Sequence, residues 1–518
     1  MSILSFSFLA FVLILLVVYY MVPQKNRWII LLLGSIYFYY LSSKNLIVFI
    51  LLSTVIIYFL GIILDKYNDK IAALKEANLS EDEKKNQKEQ FKSQKKKIVI
   101  IGVLLNILGI VVTKYSGFVL ENINNLLHLT NINFSFTITK ILVPLGISYY
   151  TLEAISYIVD IYRGKYKAET KIFKVALYLL YFPKIIEGPI SKFNTLSKDF
   201  FESNNLDFKN ITIGLDLVIY GLFKKMVIAD RAGIFVNQIF STSTGGITTL
   251  MAMLLYTVQI YAEFSGCIDI VRGVSLMFGV KLPLNFKRPF FSKNVQEFWT
   301  RWHISLGAWI REYVFFPVSL SKMNMKVTTF CKDRLNSYLY KFVAAAFPLF
   351  FVWIVNGIWH GASYKYIIYG MYYYVVMMIG FLMKTLTDNL VKKLNLKDPF
   401  LKVFQILRTC LIVIIGMTLF RATSIHEFIN MLTSIFHPGN GLLGHGLLGV
   451  DFLILLISNL FILFVGILEE KGKMNIENGF TKSPYIRAVV YTILICIIII
   501  FGIYGEGYDA SNFIYGAF

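Results

Sequence analysis

Polar sequence is what this chain of 518 residues has least of: 16% of its residues are charged against 56% hydrophobic, and its mean hydropathy is +0.63. That balance excludes a string of soluble domains, which the length alone would allow, and points to one membrane-embedded body. Only one hydrophilic interruption is long. It runs over 65–97, is rich in helix formers of mixed charge, ends in Lys95, Lys96 and Lys97, and reads as a solvated helical hairpin between spans. Cysteine is scarce too. Cys267, Cys331, Cys410 and Cys496 form no CxxC pair, so neither a disulfide framework nor a metal site is expected. The first apolar segment has no positively charged leader and no small-residue cleavage site, and Pro23, Lys25 and Arg27 follow it, so it is expected to stay as the first span. Internal repeats and low-complexity tracts are missing. So are GxSxG, a Walker sequence, HExxH and paired carboxylates at catalytic spacing, which leaves serine hydrolase, ATPase and metalloprotease readings without support.

What the chain has instead is apolar runs, at 6–22, 46–64, 98–112, 342–355, 366–383, 403–420, 453–467 and 488–503. Weaker ones lie between 142 and 280, and the whole predicts an all-α, polytopic integral membrane protein with about 11 to 13 membrane-embedded helices, some short or re-entrant. The polar segment 193–209 reads as a surface loop, 387–399 as a connector between two long spans, and the glycine-rich stretch 437–449 as an exposed turn. A single membrane domain over 1–518 is expected, with N-terminal spans in 1–140, a core in 141–365 and C-terminal spans in 366–518.

The formal net charge is +20. In so apolar a chain this reads first as topology: Lys25, Arg27 and the 65–97 loop lie inside, which puts the N-terminus outside. Its other reading is an anionic partner on the cytoplasmic face, such as a nucleotide-bearing donor or an acidic carrier protein. Nothing favours nucleic acid. Frequent Lys, Ile and Asn fit a bacterial chain, hence the cytoplasmic membrane.

The core differs in kind from the ends, because its spans carry Asp160, Lys184, Glu187, Lys224, Lys225, Glu263, Asp269, Arg272 and Arg311. A charge at membrane depth costs at least about 2.5 kcal/mol, so such groups are kept mainly where they face a cavity, a partner or the interface. Two segments stand out. In 297–313, helical spacing puts Trp299, Trp302, His303, Leu306, Trp309, Ile310 and Tyr313 on one face, and Arg301, Ser305, Ala308 and Glu312 on another. This predicts one amphipathic helix along the bilayer, with a Glu297–Arg301 ion pair of the favourable i, i+4 order. The residues alone read equally as an interfacial aromatic belt, although a belt does not require His303. The second segment is Asn356-Gly357-Ile358-Trp359-His360-Gly361-Ala362, at the end of an apolar run. Burial would keep His360 as neutral imidazole, the form of a general base; a core histidine bonded to a carbonyl is the plainer alternative. His128, His426, His437 and His445 lie in or near loops and read as structural.

These segments stand in a longer order. Before them come Pro144-Leu-Gly-Ile-Ser148, Asp160-Ile-Tyr-Arg163-Gly164, Phe182-Pro183 with Gly188-Pro189, Phe264-Ser-Gly266 with Asp269, and Leu282-Pro283 with Asn285-Phe286. Phe420-Arg421-Ala422 and Asn512-Phe-Ile-Tyr515 with Phe518 come after. In this order the chain resembles the membrane-bound O-acyltransferase (MBOAT) family, of the bacterial alginate O-acetyltransferase type, and more distantly the D-alanyl transfer protein DltB. It departs from the pattern at Lys184, Glu187, Glu263 and Cys267, positions that bear on acceptor or partner contacts more than on the chemistry.

The resemblance implies the MBOAT fold, with His360 at the essential histidine and His303 at the second polar position, supported by Trp359, Trp302, Glu297, Arg301, Ser305 and Asn356. It implies no tightly bound cofactor, but an acyl-CoA, acetyl-CoA first, as donor substrate. Lys281, Lys287, Arg288 and Lys293 are placed to attract the donor's phosphates. The lipid bilayer, an exported SGNH-type acyltransferase and a polysaccharide acceptor are the expected partners. Alternatives are DltB-like D-alanyl transfer to teichoic acid and, in another class, a proton-coupled transporter in which the histidines relay protons. The latter would show inverted repeats, which this sequence lacks.

Overall fold

A computed structural model describes residues 1–132, 134–137, 142–202, 205–242, 244–394, 398–439 and 441–504. The expected C-terminal Asn512–Phe518 match and Asn440 lie outside these residues. Among the described residues every regular element is helical, and one isolated antiparallel bridge joins Phe286 and Trp302. Eight helical stretches among the described residues are long and apolar enough to cross a bilayer: Gln24–Ala73, Glu81–Leu129, Gly246–Met277, Ser337–His360, Tyr364–Lys393, Asp398–Arg421, Gly449–Glu470 and Pro484–Phe501. The shorter apolar helix Phe6–Met21 adds to them. The protein is a multi-pass, all-α membrane protein.

The chain divides into two compact units, residues 1–211 with 274–283, and residues 212–273 with 284–518. The first contains α1 (Phe6–Met21), α2 (Arg27–Ser43), α3 (Ile47–Ala73), α4 (Glu81–Ile110), α5 (Ser116–Leu129), α6 (Ile147–Tyr162), α7 (Ile172–Leu180) and α8 (Phe193–Phe201). The polar 65–97 segment forms the expected hairpin, but as direct continuations of two spans: α3 runs on to Ala73 and α4 begins at Glu81. Ser80 starts α4 with a reciprocal cap, accepting from the Glu83 N–H (3.3 Å) while the Glu83 carboxylate accepts from the Ser80 N–H (3.0 Å). These bonds from Ser80 hold the exposed Glu83 carboxyl below its usual pKa. At the centre of the unit, Lys184 is ion-paired with Glu153 of α6, and the second oxygen of that carboxylate accepts from the Ser191 N–H (3.0 Å). Residues 193–201 are not the expected surface loop: Phe193, Leu196 and Phe200 recur at helical spacing and are buried, so this part of the segment folds as α8.

The second unit takes up α9 (Phe208–Leu222), a π-helical turn at Phe223–Ala229, α10 (Asp230–Thr242) and α11 (Gly246–Met277), the first and last crossing its boundary. It continues with α12 (Val295–Arg301), α13 (Ile304–Ile310), α14 (Phe316–Ser319), α15 (Lys322–Lys332) and α16 (Ser337–His360). It ends with α17 (Tyr364–Lys393), α18 (Asp398–Arg421), α19 (Ile425–Ser434), α20 (Gly449–Glu470) and α21 (Pro484–Phe501). Most of the charges that marked the core are neutralised in pairs. Lys224 meets Asp269 at 2.5 Å, Lys225 meets Asp230 at 2.7 Å and Glu263 at 3.3 Å, and Arg272 pairs with Glu477. Both lysines sit on the π-helical turn, whose extra residue per turn sets consecutive side chains against α11. The α16–α17 hairpin frames the candidate site.

Candidate active site

The 297–313 segment is broken where the sequence predicted one helix. Asn294 caps α12 by accepting from the Glu297 N–H (2.8 Å), and α12 stops at Arg301. Trp302 is extended, and His303 takes the left-handed conformation (φ 46°, ψ 52°) before α13 starts. For a residue with a Cβ this conformation costs roughly 1–2 kcal/mol. The strand-like segment before it holds it there. The Lys287 N–H donates to the Arg301 carbonyl (2.9 Å) and the Ile304 N–H to the Asn285 carbonyl (3.0 Å). The Ser305 N–H donates to the Asn285 Oδ1 (2.9 Å). Asn285 is fully buried and grips the chain on the far side of the turn. Ser305 is accordingly buried, and not on a separate polar face.

The turn sets the His303 ring between Phe264 (4.9 Å between centroids) and Trp359 (5.7 Å). The ring is buried, which pushes its pKa from the usual 6.5 down to about 3, so His303 is neutral at any physiological pH. His360 is the last residue of α16, packed edge-on to Phe420 (5.1 Å) and Tyr369 (5.8 Å) and 4% exposed. Gly357 lets α17 come close enough to supply Tyr369, because a methyl group there would strike the Tyr366 carbonyl.

Both histidines line one cavity of about 360 Å³, whose wall is mostly Trp299, Trp302, Trp353, Leu349 and Val352 with Asn356 beside them. Of the sequence-predicted residues, His303, His360, Trp302 and Asn356 face this cavity. Trp359 touches both imidazole rings from the side (5.7 and 5.0 Å). Glu297 and Arg301 form the expected pair (2.7 Å) without lining the cavity. Arg301 also reaches Glu470 (3.2 Å). Arg288, expected to attract donor phosphates, pairs its guanidinium with Glu470 (2.7 Å) and Glu469 (3.5 Å). These ion pairs tie α12 to the end of α20. Sequence reasoning missed Asn285 and Glu470 as supports. Asn285 stood in a motif without a role, and Glu470 carried no local signal at all.

The geometry is a helical membrane body in which two buried imidazoles line one cavity, and comparison with known proteins gives it a family. The model of the "MBOAT, membrane-bound O-acyltransferase family" matches residues 167–332. A protein named "Probable alginate O-acetylase AlgI" from Pseudomonas putida is 32% identical over 373 residues, 71% of this chain and 70% of that protein. A "Peptidoglycan O-acetyltransferase" from Helicobacter pylori is 30% identical over 309 residues, 54% of each chain. A "Teichoic acid D-alanyltransferase" from Bacillus subtilis is 30% identical over 241 residues, 45% of this chain and 58% of that protein. The chain belongs to the membrane-bound O-acyltransferase family and is an O-acyltransferase.

Proposed function

We propose that this protein takes an acetyl group from acetyl-CoA at the cytoplasmic side of the bacterial plasma membrane and passes it across for O-acetylation of an extracellular or cell-wall polysaccharide. His360 is the general base. It takes the proton of an acceptor hydroxyl as that oxygen adds to the thioester carbonyl. The C–S bond then breaks, the ester C–O bond remains, and His360 returns the proton to the leaving thiolate. His303, uncharged and fixed by its left-handed turn, orients the acyl group. The immediate acceptor is the serine of an exported SGNH-type acyltransferase, which hands the acetyl group to the polymer.

The observation that carries this reading is the convergence of His303 and His360, from separate elements 57 positions apart in the numbering, on one mostly apolar cavity. Apolar walls exclude water, which would otherwise hydrolyse an activated acyl group. D-alanyl transfer is the second reading, and the shorter stretch shared with the D-alanyltransferase favours it less. The test is transfer of labelled acetyl groups from CoA in reconstituted vesicles containing the acceptor partner. His360→Ala should abolish transfer while the protein still folds and inserts. Full O-acetylation by that variant would overturn the assignment, and transfer from a D-alanyl carrier protein alone would replace acetyl by D-alanine.

A further inference from the structure

Asn356 and His360 lie one helical turn apart on α16, so their side chains project from the same face with Cβ atoms about 5–6 Å apart. Both line the cavity, and both are buried, at 5% and 4% exposure. Three helical asparagines close their carboxamides on the carbonyl four residues back, Asn106 on Gly102 (2.8 Å), Asn122 on Phe118 (2.7 Å) and Asn459 on Leu455 (2.7 Å), and others donate to more distant carbonyls, Asn68 to Ile161 (2.8 Å) and Asn124 to Phe136 (2.9 Å). Asn356 makes no such bond, and among the described residues no group hydrogen-bonds its side chain. A buried amide that forgoes its own helix is costly unless something else satisfies it. The cavity supplies the place for that partner. Apart from the tryptophans, the polar residues on its wall are Gln296, Thr300 and Arg311, all exposed, and His303, Asn356 and His360, all buried.

We infer that Asn356 is a further catalytic residue of acyl transfer, its carboxamide N–H donating to the carbonyl oxygen of the acyl thioester. The inference rests on the reading of His360 as base. When the acceptor oxygen adds to the carbonyl carbon, the hydroxyl proton passes to His360 and the carbonyl π-electrons move onto oxygen, which Asn356 then holds as an oxyanion. Collapse restores the carbonyl and expels the thiolate, which takes the proton back from His360. A neutral amide suits this task, because it donates to the oxyanion without a proton of its own to lose. A donor and a base one turn apart on one helix face bracket a single tetrahedral carbon.

The experiment uses the full chain in vesicles with labelled acetyl-CoA and acceptor, comparing wild type, Asn356→Leu, Asn356→Asp and His360→Ala. Asn356→Leu keeps the shape and removes the donor. Its kcat should fall about 10²- to 10³-fold, with KM for acetyl-CoA within about threefold of wild type. Asn356→Asp should be inactive at neutral pH and regain activity relative to wild type as the pH is lowered towards 5, where a protonated carboxyl can donate. Recovery of transfer while the melting temperature of the Asp variant stays unchanged over the same pH range separates a donor from a merely structural amide, whose recovery would follow the stability of the fold. If Asn356→Leu fails to fold, the Asp profile decides alone. Near-wild-type kcat in Asn356→Leu, or a flat Asp-to-wild-type ratio across pH, overturns the inference. Wild type that transfers no acetyl group at all overturns the acetyl-transfer reading beneath it, a result that neither Asn356 variant can mimic.

Discussion

Replacing Asn285 by alanine takes away one of the two hydrogen bonds that close over the left-handed turn at His303. The bond from the Ile304 N–H to the Asn285 carbonyl belongs to the backbone and survives, so the chain keeps its path. The bond from the Ser305 N–H to Oδ1 is lost. That N–H belongs to a buried residue, and a buried donor left unpaired costs about 1–3 kcal/mol. The larger consequence falls on the imidazole. His303 stands in a conformation that is itself unfavourable by roughly 1–2 kcal/mol, so a weakened clamp lets the turn relax and the ring shift. A displacement on the order of 1 Å in a reacting constellation costs up to about 10²-fold in rate. The expected outcome for Asn285→Ala is therefore a folded, membrane-inserted protein of lowered thermal stability in detergent, with acyl transfer down about 10- to 100-fold at temperatures where it is fully folded. Transfer at the wild-type rate under those conditions would refute the claim that the Asn285 clamp places His303 for catalysis, whatever the stability loss.

Gly357→Val should drive α17 off α16, since even one methyl group at position 357 would meet the Tyr366 carbonyl. Overpacking of this kind costs about 1–3 kcal/mol, seen as a lower melting temperature together with lost transfer, because Tyr369 and His360 separate; unchanged melting would show that the hairpin yields. In the first unit, Lys184→Met should destabilise by about 3–5 kcal/mol by leaving the Glu153 carboxylate buried and unpaired. The double variant Lys184→Met with Glu153→Gln should recover most of that loss; equal damage in single and double variants would mean that packing, not charge, is what Lys184 supplies.

Much of the body was legible because lipid imposes length and apolarity on any spanning helix. Seven of the eight apolar runs read from the sequence fall in helices that qualify as spans, and the eighth is α1. The exception in the other direction is α11, which qualifies although its run is interrupted by Glu263, Asp269 and Arg272, each answered by a partner that hydropathy cannot see. Residues 193–201 were misread for a related reason: polar residues dominate the composition, while three apolar ones at helical spacing suffice to bury one face of α8. At the site, residue type alone singled out His303 and His360. Periodicity then misled, because a strict helical wheel over 297–313 assumes an unbroken helix, and the break at His303 is imposed by Asn285 from outside the segment.

Residue identity and order by themselves determined that the chain is an all-helical membrane protein with two histidines in apolar surroundings, because hydropathy and local pattern act over one helix at a time. Only the tertiary structure decided that these histidines share a cavity, that Arg288 is engaged by carboxylates, and that Asn356 lines the same cavity. Each of these depends on which distant segments meet, and a hydrogen bond or ion pair between residues far apart in the chain leaves no trace in the periodicity of either.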